Sequence, residues 1–230
     1  MNYCKLKILL LKGAVERWIV VPEDLNLAEL HEIIQCLFGW EGCHTYDFLK
    51  KNGDSLDPRY ERIDGGLRIV DPKETPDAFA IGEVLPEKGS AIVYLYDWGD
   101  DWRHFIMRMA DPKEQTLCCC KSIGPDGVED FGGRWRLSAY LYLIRHGETE
   151  TLQTDPHFPE DVLEMYDERE FPTPESRTTY LTGPSLETLN GRLERAYCAI
   201  LEERKDKQKA DVRSHRPARN AKDGQMEFEF

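Results

Sequence analysis

Along the first forty residues the spacing of apolar side chains changes once, and the change separates two kinds of element. Residues 3–11 alternate polar and apolar and then turn wholly apolar, the pattern of a strand with one more deeply buried end. Lys12 and Gly13 make a turn, and residues 15–21 form a second β-prone run closed by Pro22, so the chain opens on a β-hairpin. From Leu27 the period lengthens. Leu27, Leu30, Ile33, Ile34 and Leu37 fall on one face of a helix. Asn26 is its N-cap, Glu29 completes a capping box, and Gly39 ends it.

Residues 44–49 alternate as a short strand. Residues 52–80 are rich in Asn, Asp, Gly and Pro, and only one strand is expected there, near 67–70; residues 81–85 are a turn or brief helix. Residues 91–109 read as a hairpin. With Gly99 and Asp100 as its turn, Asp97 faces Trp102 and Leu95 faces His104, which makes Asp97 and His104 diagonal neighbours. Trp102, His104 and Ile106 then share one face, and Phe105, Met107 and Met109 the other. Residues 111–133 are expected to be a loop, followed by a helix from Trp135 through Ile144 and a partly helical acidic connector over 155–175. Ser185 caps a last helix with Leu186, Leu189, Leu193, Ala196, Tyr197 and Ile200 on one stripe. Apolar residues vanish from about Lys205, which predicts disorder. The pattern therefore predicts an α+β fold: one domain, residues 1–201, with helices packed on a mixed or antiparallel sheet, and a basic disordered tail over 202–230.

Composition narrows the functional classes. The formal net charge is −13, yet residues 203–222 carry eight Lys and Arg against three Asp and Glu. An acidic body repels nucleic acid at long range, so only the tail is expected to touch it, and weakly. Seven cysteines, three of them adjacent at Cys118, Cys119 and Cys120, do not make a secreted disulfide framework, and no C-x-x-C supports a zinc ribbon. The apolar run near the N-terminus is far too short for a signal peptide or a membrane span, so a cytoplasmic protein with no membrane contact is expected.

Four features carry candidate chemistry. The first is a polar and aromatic cluster of His44, Asp97, Asp100, Asp101, Trp102, His104, Glu129 and Asp130. Two histidines among carboxylates are ligand types for a divalent metal, and a metal-bound water would make a hydrolase. The plainer reading is a turn with capping aspartates and a histidine bonded to a carboxylate. No cofactor is predicted; a divalent metal is the one the cluster leaves open. The second is R-H-G-E-T at 145–149, similar to the histidine-phosphatase signature. That chemistry needs the motif at the end of a buried strand and further histidines on rigid elements, whereas here a helix is expected and only His157 and His215 follow. The third is the cysteine triplet, whose members alternate faces if extended, so at most two converge. The fourth is the terminus Q-M-E-F-E-F, where Gln225, Met226, Phe228 and Phe230 resemble the bacterial sliding-clamp-binding hexapeptide and suggest a protein partner.

Four stretches occur in an order that resembles the plasmid pRiA4b ORF-3-like family, also labelled as insertion-sequence passenger proteins. They are Y-C-K-L-K-I-L-L-L-K-G with R-W-I-V-V-P; L-x-x-L-H-E-I-I-Q-x-L-F-G-W-E-G-C-H-T-Y-D-F; Y-L-Y-D-W-G-D-D-W-R-H-F-I; and E-D-F-G-G-R-W. The resemblance implies a helix after E-D-F-G-G, with R-H-G-E-T inside it or at its end, and it implies no activity. Where family members often read Cys-Pro-Pro this chain reads Pro125, Asp126, Gly127 and Val128, so no loop-cysteine ligand carries over. The function expected from the sequence is a non-enzymatic accessory or interaction protein linked to mobile elements or DNA maintenance. The alternative is a metal-dependent hydrolase or small-ligand binder built on His44, Asp97 and His104 between Trp40, Trp98 and Trp102. A histidine phosphatase is a distant third.

Overall fold

The structure, a computed structural model, describes residues 2–50, 54–56, 60–63, 66–69, 78–113, 115–147, 162, 164 and 173–214. Strands β1 (Tyr3–Leu11), β2 (Val15–Pro22), β3 (Tyr46–Lys50), β6 (Ala91–Tyr96), β7 (Trp102–Arg108) and β8 (Cys118–Ile123) form a six-stranded sheet in the order β3-β6-β7-β1-β2-β8. Every neighbouring pair is antiparallel. Strands β4 (Tyr60–Ile63) and β5 (Gly66–Ile69) make a separate ribbon. The helices are α1 (Leu27–Phe38), α2 (Ile81–Val84), α3 (Gly133–His146), α4 (Pro174–Thr182) and α5 (Leu186–Ser214). The fold is α+β.

Period-2 patterning explains β1, in which Cys4, Leu6, Ile8 and Leu10 are buried while Lys5 and Lys7 are half-exposed. Helix α1 buries Leu27, Leu30, Ile33, Ile34, Leu37 and Phe38, and burial of each large side chain contributes roughly 1.5–3 kcal/mol. Its ends are those expected: Asn26 and Glu29 form a reciprocal capping box, and Gly39 closes it at φ 72°. Helix α5 packs on α1 and β8.

Three expectations give way. The hairpin pairs Tyr96 with Trp102, Leu95 with Arg103 and Tyr94 with His104, one residue away on β6 from the expected register. The connection is a five-residue loop, possible because Asp97 and Asp101 adopt φ 53° and 55°, a region aspartate tolerates better than most residues. This register buries Tyr94 and Tyr96 beside Trp102 and His104, and it places Asp97 outside the ladder, not diagonal to His104. Second, residues 118–123 are strand rather than loop. Asn190 of α5 accepts the Cys119 N–H at 2.7 Å and donates to the Cys119 carbonyl at 3.2 Å, satisfying backbone on this edge strand. All seven cysteines are free, and burial pushes the Cys119 thiol up to about 11. Third, α5 continues past Lys205 to Ser214: Arg204 forks onto Glu29 and Asp24 and ties the helix to the start of α1, and beyond it Lys207 pairs with Glu203 and Lys209 with Asp206 at helical spacing. The ribbon strand β4 and helix α4 were also not anticipated. Gln225, Met226, Phe228 and Phe230 lie outside the described residues, as do His157 and His215.

Arg145 and His146 end α3, and Gly147 caps it at φ 66°; the R-H-G-E-T start thus sits at a helix terminus, as expected, and not after a strand. Among the described residues no helix is long and apolar enough to cross a membrane.

Candidate metal centre

The antiparallel order brings three connections to one end of the sheet: α1–β3, β6–β7 and β8–α3. Each delivers part of a cluster. His44 comes from the first, Asp97 from the second, Glu129 and Asp130 from the third. His44 Nε2 lies 3.8 Å from Asp97 Oδ2, 3.6 Å from Glu129 Oε2 and 3.3 Å from Asp130 Oδ1. The Cys43 sulfur joins from the same loop. Ligand atoms of Cys43, His44 and Glu129, and those of His44, Asp97 and Asp130, each lie within 4.8 Å of one another.

The side chains of the cluster are held from behind. Asp97 spends one carboxylate oxygen on the Gly99 N–H at 2.9 Å, leaving the other toward His44. Glu129 Oε1 accepts the Tyr96 hydroxyl at 2.9 Å and the Glu41 N–H at 2.7 Å. Its Oε2 is buried and accepts no hydrogen bond, and His44 Nε2 is buried and unbonded in the same way. Asp130 takes φ 52°. Burial, with the Glu129 carboxylate beside it, pushes the Tyr96 phenol above its ordinary value.

The other predicted residues do different work. Asp100 accepts the Gly132 N–H at 2.8 Å and braces the hairpin loop against the α3 start. Asp101 pairs with Arg103 at 2.7 Å. Trp102 is fully buried core. His104 does not belong to the site. It has no exposed surface, its Nε2 accepts from Trp40 Nε1 at 3.1 Å, and its Nδ1 faces the Trp102 carbonyl at 3.1 Å. These bonds define a neutral tautomer with the proton on Nδ1. Burial pulls its pKa down to about 3. Of the expected aromatic walls, Trp40 is buried in the core and Trp98 is half-buried in the loop.

The sequence reading missed Cys43, Tyr96 and the loop support. Cys43 directly precedes His44, and that adjacency was the available signal. The support is Arg17, buried beneath the loop over 123–126. Gly127 is a second restraint, since a Cβ there would stand 2.2 Å from the Trp40 ring. Gly127→Ala is expected to destabilise the protein by about 1–3 kcal/mol through overpacking. A urea midpoint equal to wild type would refute this.

A six-stranded antiparallel α+β protein with a histidine–carboxylate cluster at one sheet end is the class that fold and site define. The profile described as plasmid pRiA4b ORF-3-like protein matches residues 2–174, and the chain belongs to that family. It is similar to the uncharacterized protein y4hQ of Sinorhizobium fredii, 29% identical over 149 residues, covering 59% of this chain and 71% of that one. Among solved structures it is similar to a protein of unknown function, MM3350, from Methanosarcina mazei Go1. The TM-score is 0.47 at 26% identity, over 72% of this chain and 88% of the other.

Proposed function

We propose that this protein binds a divalent transition-metal ion through His44, Asp97, Glu129 and Asp130, with Cys43 within reach as a softer ligand. The observation that carries the reading is the pair of buried, unbonded atoms, His44 Nε2 and Glu129 Oε2, facing each other at 3.6 Å. Among the described residues neither atom makes a hydrogen bond, and their only ion-pair contacts are at 3.3–3.8 Å, within the cluster. A metal would satisfy both. Ligand bonds of about 2.0–2.1 Å in a tetrahedron separate neighbouring ligand atoms by about 3.3–3.4 Å. The His44 distances of 3.3, 3.6 and 3.8 Å are close to that. A dipositive ion would also offset three clustered carboxylates.

The mixed nitrogen, oxygen and sulfur set favours zinc over magnesium or calcium. The Asp130 side chain is 79% exposed, so it is the ligand that a water would replace, leaving three protein ligands and one open position. An open position is the mark of a catalytic rather than a closed structural site, and a zinc-bound water there would have a pKa near about 7. The reaction class this favours is metal-assisted hydrolysis. The reading ranks ahead of an accessory role resting on Gln225, Met226, Phe228 and Phe230, which lie outside the described residues.

The test is thermal unfolding of metal-stripped protein with added zinc, manganese or magnesium. At a hundredfold excess over Kd, binding to the folded state adds about 2.7 kcal/mol. That raises Tm by roughly 5–10 °C for a chain of this size. His44→Ala and Glu129→Gln are each expected to abolish the rise, and Cys43→Ser to weaken zinc while sparing manganese. A wild-type Tm indifferent to all three ions would sink the proposal.

A further inference from the structure

We propose that the outer face of the sheet binds single-stranded nucleic acid, with Trp18 and Phe105 as stacking surfaces and Lys5, Lys7 and Lys121 as phosphate contacts. The register places Lys121, Trp18, Lys7 and Met107 directly opposite one another across β8, β2, β1 and β7. The ammonium groups of Lys5, Lys7 and Lys121 stand 5.6, 5.0 and 5.1 Å from the centre of the Trp18 ring. Phe105 is 46% exposed and Met107 40% exposed on the same face, with the Arg134 guanidinium 5.9 Å from the Phe105 ring.

Three ammonium groups around one indole repel one another. The ring quadrupole offsets part of that repulsion, and Glu16 pairs with Lys7 at 3.2 Å. Among the described residues Lys5 and Lys121 have no ion-pair partner. The face therefore holds uncompensated positive charge on a chain whose formal net charge is −13. Net charge suggested that the body avoids nucleic acid, but residues 5, 7, 18 and 121 are gathered only by the sheet. At physiological ionic strength, charges more than about 8 Å away are largely screened, so the local lysines decide short-range contact.

Charge alone would fit an acidic peptide equally well. The aromatic rings separate the two. A peptide adding a strand would use a sheet edge, here β3 or β8, rather than the pleated face. Rings interleaved with cations on an open sheet face match what single strands require, since every base has a π-face and every linkage a phosphate.

The experiment uses the full chain and a fluorescein-labelled oligothymidylate of about twenty nucleotides, read by anisotropy between 50 and 200 mM salt. Three phosphate contacts, Lys7 exchanging Glu16 for phosphate, predict a log–log salt slope of about −2. Trp18→Ala is expected to weaken binding about tenfold through lost stacking. Lys5→Gln with Lys121→Gln should flatten the slope to about −0.7. The glutamines keep the strand surface polar, and an unchanged Tm confirms that the double variant is folded. Wild-type protein that does not bind would overturn the proposal. So would variants that bind like wild type, which would assign binding to the basic segment after residue 203. Polyglutamate competing as well as unlabelled oligothymidylate would also overturn it, pointing to an acidic protein partner.

Discussion

Arg17→Met is expected to cost the fold about 3–5 kcal/mol, the range for removing one member of a buried charged network. Arg17 has no exposed surface. Its Nε donates to the Leu37 carbonyl at 3.0 Å, and Nη1 to those of Glu16, Ile123 and Gly124 at 3.1, 2.8 and 3.3 Å. Nη2 donates to the Pro125 carbonyl at 2.9 Å and to Asp126 at 3.3 Å. One side chain thus ties the end of α1, the start of β2 and the end of β8 to the loop that carries Glu129 and Asp130. Methionine fills similar volume but donates nothing, so several carbonyls lose their partner, and each buried orphan costs about 1–3 kcal/mol. Among the described residues Asp126 would keep Arg192 as its ion-pair partner, at 2.8 Å. Arg17→Lys should recover little, because an ammonium is a compact charge without the planar fork that spans these carbonyls. Urea unfolding measures the loss. A Met variant within about 1 kcal/mol of wild type would show that the network is not worth what its geometry suggests. Zinc titration of the same variant is informative, since a slackened loop should weaken the proposed metal binding while every proposed ligand remains present.

The contrast between Arg17 and the capping residues explains what the sequence revealed. Asn26, Glu29 and Gly39 act within one helix, so α1 was readable to its ends. The faces of β7 were readable too, since alternation is local. The hairpin register was not: it depends on aspartates at positive φ and on the gain from burying Tyr94 and Tyr96. Strand β8 lacks a β-branched run, and the Asn190 that completes its backbone bonding is 71 residues away. The anchoring of α5 was hidden for the same reason, as Arg204 meets Glu29 across 175 residues. In the site, residue type alone brought His44, Asp97, Glu129 and Asp130 to notice. It wrongly included His104, whose role is decided by Trp40, 64 positions earlier.

Acidification should expose that role. Stability is expected to be flat from pH 8 to about 7 and to fall as pH drops from about 6.5 toward 5, by up to about 2 kcal/mol for each of two histidines. Burial pulls His104 down to about 3 and His31 to about 4. Both values lie below the unfolded histidine value of about 6.5. The unfolded chain therefore takes up protons first, and stability is complete above that value and lost as pH falls toward the folded ones. The geometry gives the same sign. A proton on His104 Nε2 would face the Trp40 N–H that it now accepts, and His31 Nδ1 meets the Tyr94 hydroxyl at 2.7 Å in a buried setting. His104→Gln keeps an acceptor for Trp40 and removes one titrating group. It should lower neutral-pH stability modestly and about halve the loss between pH 7 and 5. Working above pH 5 keeps most carboxylates out of the window. An identical acid slope in wild type and His104→Gln would refute the assignment. A neutral, buried His104 has no proton to exchange near pH 7, so its effect on stability is confined to the acid side of that range.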